Sequence, residues 1–293
     1  MDNRLSAPLG SHNSVLRATA RRHFVKDFPG PLSIKSVTRG TVAWKTGGRE
    51  LVVNPDSFLV LQRGEPYSMA IDSPEPVSTF CIFFADGFVE STCASMIHPE
   101  IEPGDAHTPR LARLHADDGS ILPRLRSLAA AGSQLWIDQQ FLALAEDLSL
   151  LDREIYRRVA ALPGRHRSTR EELLRRASLG RDLLHANPAA DLDLAALARA
   201  SCLSPFHFHR TFTRAFGKTP HQYRTGLRLA QARRLLETTK KTVVEIAGEV
   251  GFESAASFSL LFRRHFGVPP TAVRKIKQDS IRRAALGASI VQA

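Results

Sequence analysis

Two segments in the last third of this chain repeat each other at an offset of 49 to 50 residues. The first carries Leu197-Ala198, Leu203, Ser204, Phe208, Phe212, Phe216-Gly217 and Pro220, and the second carries Ile246-Ala247, Phe252, Ser254, Phe258, Phe262, Phe266-Gly267 and Pro270. Self-similarity at a fixed spacing indicates a duplicated structural unit. The repeat therefore constrains the fold of this part of the chain more than its bulk composition does.

Each copy predicts two short helices joined by a tight turn. The first helix covers Leu194–Ala200 or Val243–Val250, the turn passes through Cys202-Leu203 or Gly251-Phe252, and the second helix begins at Ser204 or Ser254 and ends at Gly217 or Gly267. Serine is a favoured N-cap, and glycine is favoured just beyond a helix C-terminus. This arrangement is typical of a helix-turn-helix unit, whose second helix lies in the major groove of DNA.

The phenylalanines of each second helix recur every four residues and predict one buried stripe, so the opposite face is left for a partner. The candidates for contact with base edges are Phe206, His207, His209 and Arg210 in the first copy and Ala256, Ser257, Ser259 and Leu260 in the second. The candidates for contact with phosphates are Ser204, Thr213, Arg214, Ser254, Arg263 and Arg264.

The two copies offer different chemistry to the bases. Arg210 can bond O6 and N7 of one guanine, and His209 can donate to a neighbouring base. Phe206 either packs on a thymine methyl or is a partly buried core residue. The small and apolar side chains of the second copy predict weak base readout there, through apolar contact or DNA shape. Most sequence information should therefore lie under the first copy.

The net charge of +11 lies entirely in the part of the chain that holds the repeat. Residues 1–167 carry 19 basic and 19 acidic side chains, whereas residues 168–293 carry 21 and 10. A neutral part joined to a strongly basic one is typical of a sensor coupled to a module that binds a polyanion. A solubilising basic surface is the alternative on charge alone, and the duplicated spacing favours DNA over it.

Several function classes lack their sequence signature. No apolar run approaches the roughly 18 residues that span a bilayer, and the N-terminus has no signal-peptide pattern. The three scattered cysteines, Cys81, Cys93 and Cys202, suit a reducing cytoplasm. No CxxC pair occurs, and no histidine lies between Phe24 and Ile97. We therefore expect a cytoplasmic protein without membrane contact, metal, cofactor or catalytic residues.

The N-terminal part predicts a small antiparallel barrel over residues 23–98, after a flexible tail over residues 1–22. Its best hairpin pairs Thr41–Thr46 with Arg49–Val53 through Gly47-Gly48. Further short strands are predicted at Ser57–Leu61, Tyr67–Ile71 and Val77–Phe84, each set off by proline or glycine. Trp44, Phe58, Tyr67 and Phe80 would line an effector pocket in the barrel or, as the alternative, form its core.

Residues 99–163 predict a linker and dimerisation region. Pro99 to Gly119 is expected to form a loop, followed by helices at Ile121–Ala131 and Trp136–Leu162. The apolar stripe of the second helix, Leu144, Leu148, Leu151 and Ile155, would pair with a second copy or pack on the barrel. A capping box at Ser168-Thr-Arg-Glu171 should start a DNA-binding domain over residues 168–275, before a tail over residues 276–293.

The segment from about Ser168 to Arg274 resembles the DNA-binding region of AraC-type (AraC/XylS) regulators. The marks are Pro220-His-Gln-Tyr223-Arg224, Arg228-Leu229, Ala232-Arg233, Leu235-Leu236, Ile246-Ala247, Gly251-Phe252, Phe262-Arg263 and Pro269-Pro270. Val273 departs from the pattern, where the family often has an aromatic residue. The resemblance implies seven helices, with a helix from about Thr219 to Glu237 joining two units that occupy successive major-groove segments. The strands more loosely resemble the cupin-like sensor domain of such regulators.

The fold class expected is therefore α+β, with a cupin-like antiparallel barrel plus helices and an all-α domain with two helix-turn-helix units. The partners implied are double-stranded DNA, a small-molecule effector, a second copy of the chain and, for an activator, RNA polymerase. Two alternatives stay open at this point. One is an alkyl-transfer repair enzyme with a reactive cysteine, and the other is an architectural protein with little sequence preference.

Overall fold

The computed structural model describes residues 8–95, 113–116, 121–128 and 133–273. The chain divides into two units, residues 1–161 and 162–293. The described strands all lie in the first unit, and the described part of the second unit is helical.

The first unit is built on one antiparallel sheet of seven strands. They are β1 (Ser14–Pro29), β2 (Ser33–Arg39), β3 (Val42–Thr46), β4 (Arg49–Val53), β5 (Ser57–Leu61), β6 (Pro66–Phe83) and β7 (Arg113–Ala116). The order is β4-β3-β6-β2-β5-β7, and β1 pairs along the other edge of β6. Because β4 also lies against β5 and β7, the sheet curls into a nearly closed barrel. The predicted fold class is confirmed.

Alternation along the strands separates two cores. The inner face carries Trp44, Leu59 and Tyr67, whereas Phe58 and Phe80 point outward, towards helices. The four aromatic residues considered for one effector pocket therefore do not share one face. The predicted hairpin between β3 and β4 is confirmed, with both turn glycines at positive φ, as a two-residue primed turn requires.

The two strands predicted at Tyr67–Ile71 and Val77–Phe84 are one long strand, β6. Proline lacks the N–H that a ladder needs, which is why Pro74 and Pro76 predicted a break. Both prolines lie where the register with β1 shifts, between Asp72 and Val77. At the same place the other edge of β6 passes from β2 to β3. The prolines therefore cost no ladder hydrogen bond.

The flexible tail predicted over residues 1–22 is wrong for residues 14–22, which belong to β1. Most side chains of β1 are exposed, so the strand has no apolar alternation to reveal it. Backbone pairing with β6 holds it instead. The loop predicted from Pro99 to Gly119 is likewise wrong at β7, which pairs with β5 and places the buried His115 against the ring of Phe58.

The described helices of the first unit are α1 (Phe88–Ser95), α2 (Ile121–Leu128) and α3 (Gln134–Ala161). Leu144 and Leu148 of α3 are buried against the outward face of the sheet, together with Phe58 and Ile82. The stripe considered for dimerisation therefore packs mainly on the barrel. Residues 129–131 of the predicted helix, the tail at 276–293 and most of the 99–119 segment lie outside the described residues.

The described helices of the second unit are α4 (Arg167–Ala186), α5 (Leu194–Ala200), α6 (Pro205–Phe216), α7 (Pro220–Thr238), α8 (Val243–Glu249) and α9 (Ala255–Phe266). Helical conformation resumes at Pro270, near the end of the described residues. The capping box predicted at Ser168 is wrong, because α4 begins earlier, after His166, without a side-chain cap. Val273 is buried in the core of α7, α8 and α9.

Candidate nucleic-acid interface

The two repeated units have matching helix termini. The Ser204 hydroxyl accepts a hydrogen bond from the backbone N–H of His207, and the Ser254 hydroxyl accepts one from the N–H of Ser257. Both α6 and α9 end at a glycine in the left-handed conformation, Gly217 and Gly267. The predicted bounds of both second helices are confirmed, because caps are determined by residues adjacent in the sequence.

The phenylalanine stripes hold both helices by the face opposite to the candidate residues. Phe208 and Phe212 are fully buried against α4, α5 and α7, and Phe258 and Phe262 are fully buried in the second unit's core. The third ring of each stripe is half-buried. Seven of the eight candidate base contacts are exposed, and the eighth, Ser259, is half-buried.

Phe206 is 76% exposed and Leu260 is 71% exposed. The alternative that Phe206 is a core residue is therefore wrong. Phe206 lies in the first turn of α6 and Leu260 in the middle of α9, within the part of each helix that a major groove would receive. His207 and His209 are also exposed.

The candidate phosphate contacts divide into two groups. Arg214, Arg263 and Arg264 are exposed, and within the described residues none of them has an ion-pair partner; the same is true of Arg210, a candidate base contact. Thr213 is half-buried and its hydroxyl donates to the His209 carbonyl at 2.7 Å. The two capping serines accept rather than donate, so each keeps its hydroxyl proton for a phosphate.

The turn of each unit needs one residue at positive φ. Gly251 fills this position in the second unit at φ +87°, and Cys202 fills it in the first at φ +51°. A side chain at positive φ is strained. The Cys202 carbonyl accepts a hydrogen bond of 3.1 Å from Arg176 of α4, which holds the strained turn in place.

Helix α4 approaches α6 closely enough that only glycine fits between them. A Cβ at Gly180 would stand 2.5 Å from the ring of Phe208. Below this contact, Arg181 donates to Asp182 at 2.8 Å and lies over the ring of Phe216. Helix α6 is therefore seated on α4 by direct contact, and α7 takes the corresponding place beside α9, where Arg233 lies over the ring of Phe266.

His185, also on α4, shares a hydrogen bond of 3.0 Å with the Tyr223 hydroxyl of α7. Burial, with a smaller contribution from the Arg181 charge, lowers the pKa of His185 to about 3. The imidazole is therefore neutral at physiological pH. Its role is to connect α4 to α7 below the first unit.

Sequence reasoning missed the residues that connect the two helix-turn-helix repeats. Arg224 of α7 donates to the carbonyl of Leu192 at 3.0 Å, and Arg228 donates to the carbonyls of Pro188 and Gly251, each at 2.7 Å. These arginines are one helical turn apart on α7. Their sequence spacing alone does not distinguish them from arginines on a solvated face, because their acceptors are backbone carbonyls of distant segments.

Three other functions can be compared with the described part of the chain: thiol catalysis, metal binding and membrane crossing. Burial raises the pKa of the Cys81 and Cys93 thiols, which is opposite to what a reactive thiolate requires. The described residues contain no group of three or more histidine, cysteine or carboxylate side chains placed to hold a metal ion. Among the described helices, none combines the length and apolar character that crossing a membrane requires.

Comparison with known families agrees with this division of the chain. Residues 17–162 match the model of an AraC-like ligand binding domain. Residues 197–276 match the model of a helix-turn-helix domain. The two matches together account for the barrel with its helices and for both repeated units.

Two regulators and one solved structure illustrate what this chain is similar to. The transcriptional activator NphR of Rhodococcus sp is 29% identical over 92% of this chain and 79% of its own length. The HTH-type transcriptional regulator GbdR of Pseudomonas aeruginosa is 36% identical over 32% of this chain and 25% of its own length. Apo ToxT from Vibrio cholerae aligns over 91% of this chain and 98% of its own, at 13% identity and a TM-score of 0.41.

Proposed function

Because the chain belongs to the AraC family of transcriptional regulators, we propose that it places α6 and α9 in successive major-groove segments of operator DNA. One observation carries this proposal most directly. Helices α6 and α9 have the same kind of caps and the same buried stripe of phenylalanines. On the side opposite to its stripe, each helix exposes arginines that have no ion pair in the described part of the chain. In DNA-binding proteins such arginines contact phosphates and guanines.

Within this proposal the two helices have unequal roles. Arg210 and His209 of α6 present long polar groups for base readout, with Phe206 beside them. The exposed residues at the corresponding positions of α9 are small or apolar, including Leu260. The half-site under α6 therefore carries most sequence information, and α9 contributes apolar contact, phosphate contacts and DNA shape.

The N-terminal unit supplies regulation in this proposal. Its family match is a ligand-binding domain, so a small molecule bound there would control the activity of the helices. Activation of transcription would add a contact with RNA polymerase. Binding to chromosomal DNA would also place the protein in the cytoplasm, and no catalytic role is proposed for it.

A second copy of the chain is the proposed partner of α3. Leu135, Leu142, Leu150 and Tyr156 are all exposed by 45% or more. Successive helix residues are about 100° apart, which places these four within about 120° of one face of α3. Since Leu144 and Leu148 already pack on the barrel, this second face, which also carries the exposed Glu146 and Arg157, is the one available for a symmetric contact.

Selection of genomic DNA fragments by the purified full chain at physiological salt tests the proposal. The wild type should recover one motif of about two helical turns. Arg210→Ala should recover the same motif with one half blurred, and Arg22→Ala, an exposed change on β1, should leave it intact. Recovery of DNA without any motif would support an architectural role. Equal information in both halves would contradict the unequal roles of α6 and α9.

The repair-enzyme alternative has its own test. A methyl-transfer assay with alkylated DNA would show methylation of a cysteine if the alternative were correct. We expect no transfer to Cys81 or Cys93, because burial raises the pKa of both thiols. Mass spectrometry of the reacted protein covers Cys202 in the same experiment.

A further inference from the structure

Lys35 is a positively charged residue inside the barrel. It lies on β2 with 1% of its surface exposed, opposite Cys81 of β6 and on the inner face. Its Nζ donates a hydrogen bond of 3.1 Å to the Tyr67 hydroxyl and stands 3.9 Å from the centre of the Phe83 ring. Among the described residues no carboxylate forms an ion pair with it.

An ammonium group without a counter-ion is costly to bury. Contact with two aromatic rings offsets part of that cost. Burial lowers the pKa of Lys35 to about 8, so the group is still largely protonated at neutral pH. A barrel that needed only packing at this position would be more stable with an apolar residue, which suggests a role for the charge.

Ser33 adds an independent feature at the same place. It lies two residues before Lys35 on β2, so the two side chains emerge on the same face of the sheet. Its hydroxyl is buried and has no hydrogen-bond partner among the described residues. The Tyr67 hydroxyl accepts from Lys35 and so keeps its own proton to donate. The inner face therefore presents two hydroxyl donors and one ammonium, and the described residues place no carboxylate in contact with them.

An open pocket lies beside Tyr67, because Phe28, one of its lining residues, packs against the Tyr67 ring. Its volume is about 540 Å³, and its lining includes Phe28, Gly30, Pro31, Arg63 and Gly64. This volume lies within the range of about 300–1,000 Å³ that is usual for small-molecule sites.

Tyr67 separates the pocket from Lys35. The Phe28 ring packs edge-on against the Tyr67 ring at 5.7 Å. A Cβ at Gly30 would stand 3.1 Å from the Phe28 ring and 3.4 Å from the Tyr67 ring, so glycine at this position gives the Phe28 ring space at the wall. A ligand in the pocket would reach Lys35 when the Phe28 and Tyr67 rings move apart.

We infer that Lys35, with the hydroxyls of Ser33 and Tyr67, binds the carboxylate of a small organic acid whose apolar body occupies the adjoining pocket. That this acid is the effector rests on the proposed function, whereas its binding does not. A single ammonium matches a single negative charge. The charged residues of the pocket lining, Arg63 and Asp86, pair with each other at 2.9 Å, and the remaining lining is mainly apolar, so it matches an apolar body better than a polyhydroxylated one.

Thermal unfolding of the full chain with a defined panel of acids tests the inference. The panel is acetate, butyrate, hexanoate, octanoate, benzoate and phenylacetate, each compared with its uncharged primary amide. A ligand that binds only the folded state raises the melting temperature. We expect at least one of the larger acids to raise it by several degrees, and its amide and acetate to leave it unchanged.

Variants locate the binding. Lys35→Met should fold at least as stably as the wild type and bind the acid at least tenfold more weakly, because a hydrogen-bonded ion contact is lost. Lys45→Met removes an exposed lysine of β3 and should bind like the wild type. Tyr67→Phe and Ser33→Ala each remove one hydroxyl and should weaken binding by a smaller factor. These two variants also test the site if Lys35→Met fails to fold.

Three results would overturn the inference. They are no acid of the panel shifting the melting temperature, an amide acting as well as its acid, or binding that is unchanged in every variant of the cluster. Selection of operator DNA by the same protein is scored separately. If no acid binds but the protein still selects operator DNA, only the proposed acid site is wrong. If an acid binds but no DNA is selected, only the proposal of a DNA-binding regulator is wrong.

Discussion

The guanidinium of Arg228 donates a hydrogen bond of 2.7 Å to the carbonyl oxygen of Gly251, the residue that turns the second helix-turn-helix. The same group donates to the carbonyls of Pro188, at 2.7 Å, and Ala189, at 3.2 Å, in the segment that leads into the first unit. One side chain of α7 therefore binds the second helix-turn-helix repeat and the segment that leads into the first. Its position determines how the two recognition helices are held relative to each other.

Replacing this guanidinium tests that role. Arg228→Lys keeps the charge but has no planar fork to reach three carbonyls, so we expect a loss of about 2–4 kcal/mol in the free energy of unfolding. Affinity for a two-site operator should fall more than affinity for one half-site. Urea unfolding and DNA titrations measure the two effects. Arg233→Lys changes an exposed pair with Glu237 on the same helix and is the control; equal behaviour of the two variants would contradict the prediction.

Arg210 and Arg214 of α6 should contact different parts of the DNA, a base and a phosphate respectively. Arg210→Ala should reduce discrimination at one base pair by about 1–3 kcal/mol, since a base contact is lost. Arg214→Ala should weaken binding to every sequence alike and lower the slope of affinity against salt by about 1. Fluorescence anisotropy with operator and scrambled DNA, over a range of salt concentrations, separates them. An Arg210→Ala variant that loses affinity equally for both DNAs would place that residue on a phosphate instead.

His185 should make the helical unit sensitive to acid. Its pKa is lowered to about 3 by burial and the Arg181 charge, against about 6.5 in an unfolded chain. Between these values the unfolded chain binds a proton that the folded chain does not, so stability falls as the pH falls through this window. The loss should begin below about pH 6.5 and continue towards about pH 3.

The variant His185→Gln removes the titrating group, and it should flatten this part of the pH dependence. Chemical unfolding measured from about pH 7 to about pH 4 provides the comparison. His209→Gln, at an exposed position of α6, should keep the wild-type slope. A His185→Gln variant with the wild-type slope would show that other groups cause the acid sensitivity.

The exposed face of α3 should determine the oligomeric state. Leu142→Glu and Leu150→Glu each place a charge on that face, and both positions are exposed in the single chain, so folding should be unaffected. Sedimentation should show the wild type as a dimer and each variant shifted to monomer. Val244→Glu changes an exposed apolar residue of α8 and should remain dimeric. Variants of α3 that sediment as the wild type does would remove this face as the contact.

The helical unit could be predicted almost completely from the sequence, whereas the barrel could not. The caps at Ser204 and Ser254, the end glycines and the phenylalanine stripes all involve residues within a few positions of each other. The prediction failed where local pattern was weak: β1 has exposed side chains, β7 is four residues long, and β6 continues through Pro74 and Pro76. In each case the strand is held by pairing with a distant segment.

The sequence by itself determined that this protein has a duplicated DNA-binding unit, because helix periodicity and capping depend on near neighbours along the chain. Only the tertiary structure decided which face of α3 is free and that Arg228 fastens both units. The structure also placed Lys35 inside the barrel, with no carboxylate partner in the described part of the chain. The physical reason is that burial and hydrogen bonding of these groups depend on segments tens of residues away, and residue type alone does not specify such contacts.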